Sequence, residues 1–191
     1  MGFHNLNDSA KLIFWGNVLL IICCAFYLAW WLMAFKPTGA IKGIRTGWLL
    51  IPAVIAGLAA VYLAVKGLAS EAVGAVVLPG RYIIFGGIAV YLILLVVTGM
   101  LLKRQVTSEL FLIVGWAVLA LSEINILYGM EYFSAPQAVS FAIVTGVATL
   151  ISIICYILYY KLGARAGYFD GMVPLLLAAL VAAGISVALV V

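Results

Sequence analysis

Six long apolar runs constrain the fold of this chain more than any other feature of its sequence. Their positions are about 12–35, 47–66, 82–102, 109–130, 137–160 and 172–191. An α-helix needs about 20 apolar residues to cross the ~30 Å hydrocarbon layer of a bilayer, so each run is long enough for one crossing. The chain is 68% hydrophobic and 8% charged, with a mean hydropathy of +1.32, whereas soluble domains average roughly 45–50% apolar and 25% charged residues. The sequence therefore predicts an all-α integral membrane protein.

The segments between the runs are short and rich in turn-forming residues. They read KPTGAIKGIRTG, GLASEAVGAVVLPGR, KRQVTSE, EYFSAP and KLGARAGYFDG. Links of this kind join neighbouring antiparallel helices, so we expect one compact bundle of about six transmembrane helices in a single domain over residues 1–191. FWGNVLL in the first run loosely echoes IVGWAVL in the fourth, which leaves open an arrangement as two three-helix halves.

Basic residues predict the orientation of the bundle, because Lys and Arg in short loops tend to remain in the cytoplasm. Lys11, Lys66 and Arg81 lie on one side, and the others lie on the opposite side. The second group consists of Lys36, Lys42, Arg45, Lys103, Arg104, Lys161 and Arg165. We therefore expect a multi-pass protein of the cell (plasma) membrane with both termini outside. Its net charge of +4 suits anionic lipid headgroups, and no nucleic-acid partner is expected.

The residues that most catalytic and metal sites require are scarce. The only histidine, His4, precedes the first run, and the only aspartates, Asp8 and Asp170, lie outside the apolar spans. The cysteines lie within apolar runs without C-x-x-C spacing, which is typical of packing residues. These cysteines are Cys23, Cys24 and Cys155. The sequence thus predicts no metal, no cofactor and no catalytic residue, and it favours a non-enzymatic role.

The carboxyl group of Glu123 is the exception to this apolar pattern. It lies in LALSEINILYG, residues 119–129, within the fourth run. A carboxylate near the bilayer centre costs on the order of 2.5–3.5 kcal/mol, so such a residue normally faces the bundle interior and has a partner there. No Lys or Arg lies in the interior of an apolar run to neutralise it. We interpret Glu123 as the polar floor of a small central cavity.

Further polar and aromatic residues at helical spacing are predicted to form the walls of that cavity. In the fifth run four such residues are spaced by four, three and four, and in the first run Asn17 begins a seven-residue repeat with Cys24 and Trp31. The predicted ligand-binding residues are Glu123, Asn125, Ser122, Asn17, Trp116, Thr145, Thr149, Ser152 and Tyr156. The alternative is structural, because small and hydroxyl residues commonly pack membrane helices together. Glu123 would then be a protonated acid bonded to Asn17 or to a fifth-helix hydroxyl.

Three functions are compatible with this pattern. The leading one is a small transporter or channel-like carrier of an ion or a small polar or amphipathic solute. The second is a non-catalytic binding or accessory subunit of a membrane complex, whose helix stripes would be contact surfaces. The third is a lipid-modifying enzyme with Glu123 as general acid or base, although one carboxyl group is little equipment for catalysis. The expected partners are membrane lipid, a small-molecule or ion ligand, and a second copy or a partner subunit.

The predicted orientation can be tested by labelling single cysteines in a cysteine-free background. Cysteines placed in the links at 36–47, 103–109 and 161–171 should react with an impermeant maleimide only after the membrane is permeabilised. Cysteines placed before the first run and in the link at 131–136 should react in intact cells, because the basic residues hold the other links inside. An amino terminus protected in intact cells would contradict the orientation.

Overall fold

The computed structural model describes residues 3–35, 46–71, 80–101, 108–159 and 161–191, and all regular elements in these residues are helical. The α-helices are α1 (Asp8–Ala34), α2 (Leu50–Glu71), α3 (Gly80–Val96), α4 (Ser108–Gly129), α5 (Ala135–Leu158), α6 (Ala164–Asp170) and α7 (Val173–Val190). Short 3-10 turns at Phe3–Asn5 and Thr46–Leu49 precede α1 and α2, and a π-helical turn at Val97–Leu101 extends α3.

Within the described ranges, six helical segments are long and apolar enough to cross a membrane. Five correspond to α1 through α5, and the sixth runs from Ala164 to Val190 through α6 and α7. The prediction of an all-α chain with six long apolar helices is thereby confirmed. Five of the basic residues that predict the orientation, Lys36, Lys42, Arg45, Lys103 and Arg104, lie outside the described residues.

Local capping interactions fix where α1 and α5 begin. The side chain of Asn7 accepts a hydrogen bond from the backbone N–H of Ala10 at 2.8 Å, which satisfies a donor that the first turn of α1 leaves open. At the start of α5, the backbone N–H of Ser134 donates to the side-chain oxygen of Gln137 at 2.9 Å. The link before α5 turns through Glu131, whose φ of 64° is left-handed. These interactions define the first turns of α1 and α5.

Small residues bring α1 and α2 into close contact. The buried face of α2 consists of alanines and a glycine, Ala53, Ala56, Ala60, Ala64 and Gly67. A Cβ on Gly16 of α1 would lie 3.1 Å from the carbonyl oxygen of Ala60. In membranes, where hydrophobic burial does not drive helix association, such backbone proximity lets van der Waals contacts hold helices together. The two helices therefore pack as one unit.

The helices form two groups around α4, which is the most buried of the six candidate spans. One group contains α1 with its closest neighbours α2 and α7, and the other contains α4 with α3 and α5. We call them the α1 group and the α4 group. Contacts between α5 and α7 join them, together with a shared apolar core. That core includes Ala10, Ile13, Ala120, Ile124, Leu127, Ala148, Val181, Ile185 and Leu189.

The α1–α2 contact predicts a strong effect of one added methyl group at Gly67. A Cβ there would lie 2.9 Å from the backbone oxygen of Ser9 and 2.9 Å from Cγ1 of Ile13, so Gly67→Ala must push the helices apart. We expect a loss of roughly 1–3 kcal/mol in the free energy of unfolding, measured by thermal unfolding in mild detergent.

Gly146→Ala is the matched control for this change, because a Cβ at Gly146 in α5 has no neighbour within 4 Å. Alanine is the better helix former by about 1 kcal/mol, so the control should leave stability unchanged or raise it. Equal melting temperatures for the two variants would contradict the close packing of α1 on α2.

Candidate functional site

Glu123 lies on the buried face of α4 and is 2% exposed. The residues on that face recur at three- and four-residue intervals, so it follows the helical period. They are Leu110, Ile113, Val114, Ala117, Ala120, Glu123, Ile124, Ile126 and Leu127. Glu123 is the one ionisable member of this set. The helix therefore carries a carboxyl group into the protein interior.

The partner of Glu123 is Asn17 of α1, which is 3% exposed. Nδ2 of Asn17 donates a hydrogen bond to Oε2 of Glu123 at 2.8 Å and another to the backbone oxygen of Ile13 at 3.2 Å. These two bonds account for both hydrogens of the amide. The bond to Ile13 fixes the amide on its own helix, and the bond to Glu123 joins the α1 group to the α4 group.

A small cavity of about 10 Å³ lies beside this bond, among α1, α4 and α7. Its lining residues are Asn17, Leu20, Trp116, Leu119, Ala120, Glu123, Val181, Ala182 and Ile185. A volume of about 10–15 Å³ is the smallest that holds one water molecule. The space beside Glu123 therefore matches a single water and is too small for a larger solute.

The electrostatic setting of the carboxyl group is weakly polar. Of the described residues that line the cavity, Asn17 has the only other polar side chain apart from the indole of Trp116, and none is Lys, Arg or His. In the part of the chain that the structure describes, no three His, Cys, Asp or Glu side chains form a group that could hold a metal ion. The site offers oxygen atoms and a single fixed donor, without a compensating positive charge.

Two of the predicted site residues on α4 lie away from the cavity. Asn125 follows Glu123 by two residues, so it projects about 200° further around the helix. Ser122 is half-buried, and its hydroxyl donates to the backbone oxygen of Val118 at 2.7 Å. Trp116 does line the cavity, because seven residues, or two turns, separate it from Glu123.

The predicted residues on α5 are also absent from the lining. Thr149 donates to the backbone oxygen of Thr145 at 2.7 Å, and Ser152 donates to that of Ala148 at 2.8 Å. Thr145 is fully buried, and Tyr156 packs against an apolar cluster around Leu110. The hydroxyls of Thr149 and Ser152 thus bond to their own helix, while α7, which has no polar residue at the cavity, forms its third wall.

Contacts at both ends hold α1 in place around the site. At one end, the indole N–H of Trp31 donates to the backbone oxygen of Tyr168 at 3.0 Å, and a Cβ on Gly171 would collide with that indole. At the other end, the backbone N–H of Asn7 donates to the hydroxyl of Tyr132 at 2.8 Å. These contacts tie α1 to α6 and to the α4–α5 link, so the carboxyl–amide bond lies between two anchored ends.

Comparison with known proteins adds no function to this geometry. The sequence matches no protein-family model, and neither the curated proteins nor the solved structures give a match. The site must therefore be interpreted from its own chemistry.

The bond between Asn17 and Glu123 predicts thermodynamic coupling between the two residues. Asn17→Leu should leave the carboxyl group unpaired and cost about 1–3 kcal/mol of the free energy of unfolding. Adding Glu123→Met should recover part of that loss, since replacing both partners by apolar groups can be nearly neutral. In a double-mutant cycle read by denaturation in mixed micelles, we expect a coupling free energy of about 0.6–1.7 kcal/mol.

Ser122→Ala provides the control for this cycle. The Ser122 hydroxyl donates to the backbone oxygen of Val118 on its own helix and shares no hydrogen bond with Glu123, so its loss should combine additively with Glu123→Met. Additivity of Asn17→Leu with Glu123→Met, to within about 0.5 kcal/mol, would show that the bond contributes nothing to stability.

Proposed function

We propose that this chain is a multi-pass protein of the plasma membrane that carries an ion or a small polar or amphipathic solute, with its site at Glu123 and Asn17. Both termini face the outside in this proposal, and membrane lipid surrounds the six spans. The carrier role takes precedence because an accessory subunit needs no buried carboxyl group, and catalysis usually needs more than one such group.

The burial of Glu123 against Asn17 is the observation that carries this proposal. Ordinary packing of α1 on α4 does not require a carboxyl group, because a glutamine would offer the same hydrogen bond. At mid-membrane a carboxylate costs on the order of 2.5–3.5 kcal/mol to insert. Packing alone would thus be served by a glutamine, which costs less to bury than an ionised glutamate. The presence of glutamate points to a role that needs ionisation of the side chain.

The arrangement of the helices supports a carrier mechanism. The α1–α2 contact is tight, so α1 and α2 move together, and the bond from Asn17 to Glu123 crosses between the α1 group and the α4 group. A cavity of about 10 Å³ admits a larger species only when the two groups separate. Carriers commonly expose a central site by moving one helix bundle against another. Separation along this seam would expose Glu123.

A second candidate, an accessory subunit, is supported by one specific observation. α3 has no buried residue, and many large apolar side chains on α2 and α3 are exposed. Lipid covers such faces in a protein that acts alone, whereas a partner helix covers them in a complex. This role would be favoured by a membrane protein that co-purifies with the chain at a fixed ratio in mild detergent. Cysteines introduced on α3 should then be protected from labelling by that partner.

The carrier proposal predicts a selective effect of Glu123→Gln. Glutamine preserves the shape of the side chain and can accept the bond from Asn17, but it cannot ionise. The purified variant should keep its melting temperature and lose uptake of candidate solutes into proteoliposomes. Glu109→Gln is the matched control, because Glu109 lies in the first turn of the same helix, away from the cavity. It should keep wild-type uptake.

Unchanged uptake in Glu123→Gln, or an equal loss in Glu109→Gln, would reject Glu123 as the site. The test covers a panel of solutes at several pH values around neutrality, so that loss of transport is separated from a shift in its pH dependence. Glu123→Ala is less informative. It removes the partner of Asn17 on α4 and therefore destabilises the protein whether Glu123 has a structural or a functional role.

A further inference from the structure

The volume beside Glu123 restricts what can bind there in this conformation. The cavity measures about 10 Å³, which corresponds to one water molecule. Every lining residue except Asn17 and Glu123 presents an apolar or aromatic surface. An amino acid, a sugar or an organic ion is excluded by size alone.

The oxygen atoms beside Glu123 also restrict the cations that it can hold. The lining provides the carboxyl oxygens of Glu123 and the amide oxygen of Asn17, while the amide hydrogens of Asn17 are already used. A hard divalent cation takes six or more oxygen ligands. Three side-chain oxygens and one water fall well short of that number, so the closed site does not replace a hydration shell.

We infer that the species bound at Glu123 is a proton, exchanged through a single water molecule in the cavity. This inference rests on the carrier function proposed above and specifies its ligand: transport by this chain is coupled to protons. A proton needs no coordination shell and no volume beyond the water that delivers it.

The proton step at Glu123 is simple and balanced. A hydronium ion in the cavity transfers one proton to a carboxylate oxygen; its O–H bond breaks, a new O–H bond forms on Glu123, and a neutral water remains. Release is the reverse step, with the water as acceptor. In the closed bundle Asn17 donates to Oε2, so it positions the carboxyl group and leaves the other oxygen for the proton.

Among the described residues, no other ionisable group lines the cavity from the helices packed around it. α7 contains no ionisable side chain, and the ionisable residues of the other neighbouring helices are absent from the lining. Among the residues whose side chains the structure describes, they are Asp8, Lys11, Cys23, Cys24 and Tyr27 on α1, Tyr62 and Lys66 on α2, Glu109 and Tyr128 on α4, and Cys155 and Tyr156 on α5. Lys11 lies 4.0 Å from the carboxylate of Asp8. Glu123 is thus the one proton acceptor of the site.

The inference is tested with the proton itself as the probe. The purified full-length chain is subjected to pH steps in detergent, proton uptake is measured with a pH-sensitive dye, and the carboxyl C=O band is followed by infrared difference spectroscopy. We expect wild type to bind one more proton per chain at low pH than Glu123→Gln and to gain a protonated-carboxyl band that this variant lacks. Glu109→Gln should keep that band, and Glu123→Asp, which restores a carboxyl group, should regain it.

The two possible failures are distinguishable. If the band and the extra proton persist in Glu123→Gln, or are missing from wild type at every pH tested, the proton is not bound at Glu123 and the inference is overturned. Solute uptake that proceeds without them would leave the carrier function standing. If the band titrates as expected in proteoliposomes but no solute and no proton crosses the membrane, proton binding at Glu123 stands and the carrier function fails.

Discussion

A single hydrogen bond, from Nδ2 of Asn17 to Oε2 of Glu123 at 2.8 Å, is the polar contact around which the interior of this bundle is organised. The surrounding core is apolar and could tolerate many arrangements of similar volume, because dispersion contacts have little directionality. A buried carboxyl group is different, since leaving it without a partner costs more than a neutral polar group would. The bond therefore fixes the register of α1 against α4.

The rest of the packing determines where motion is possible. Between α1 and α2, Gly16 and Gly67 leave little or no space for a methyl group, so the two backbones are in close contact there. Between the α1 group and the α4 group, the contact is interrupted by the cavity and bridged by the Asn17–Glu123 bond. Separating the groups would break the Asn17–Glu123 bond, the bond from Asn7 to Tyr132 and the contacts between α5 and α7, whereas separating α1 from α2 would break a continuous close-packed surface. The seam between the groups differs from the α1–α2 contact because it contains a cavity and a buried polar bond.

Much of the fold follows from the sequence, because the length of an apolar run and the charge at its ends are local properties. The predicted run at 109–130 is α4, Ser108–Gly129, in the structure. The cost of burying a charge likewise points to an interior position for Glu123, and Asn17 is one of the two partners that the structural alternative predicts for it. These inferences depend on the polarity and charge of individual residues, which the sequence gives directly.

The walls of the cavity could not be obtained in the same way. Ser122 and Asn125 are close to Glu123 in sequence but are turned away from it by the helical rotation of about 100° per residue. The hydroxyls of Thr149 and Ser152 satisfy themselves on their own helix, so their spacing carries no information about a ligand. The third wall is made by α7, whose apolar residues give no local signal of a site.

The balance of energies at Glu123 relates proton binding to helix separation. A hydrogen bond to a charged group contributes about 1.5–3 kcal/mol, so Asn17 would favour the carboxylate by that amount. Removing a carboxylate from water costs several kcal/mol even after the protein relaxes, and no positive charge lines the cavity. Desolvation and the hydrogen bond from Asn17 therefore act on the carboxylate in opposite directions. In the carrier proposed above, loss of the proton would favour opening along the seam, because a carboxylate gains more from water than from Asn17.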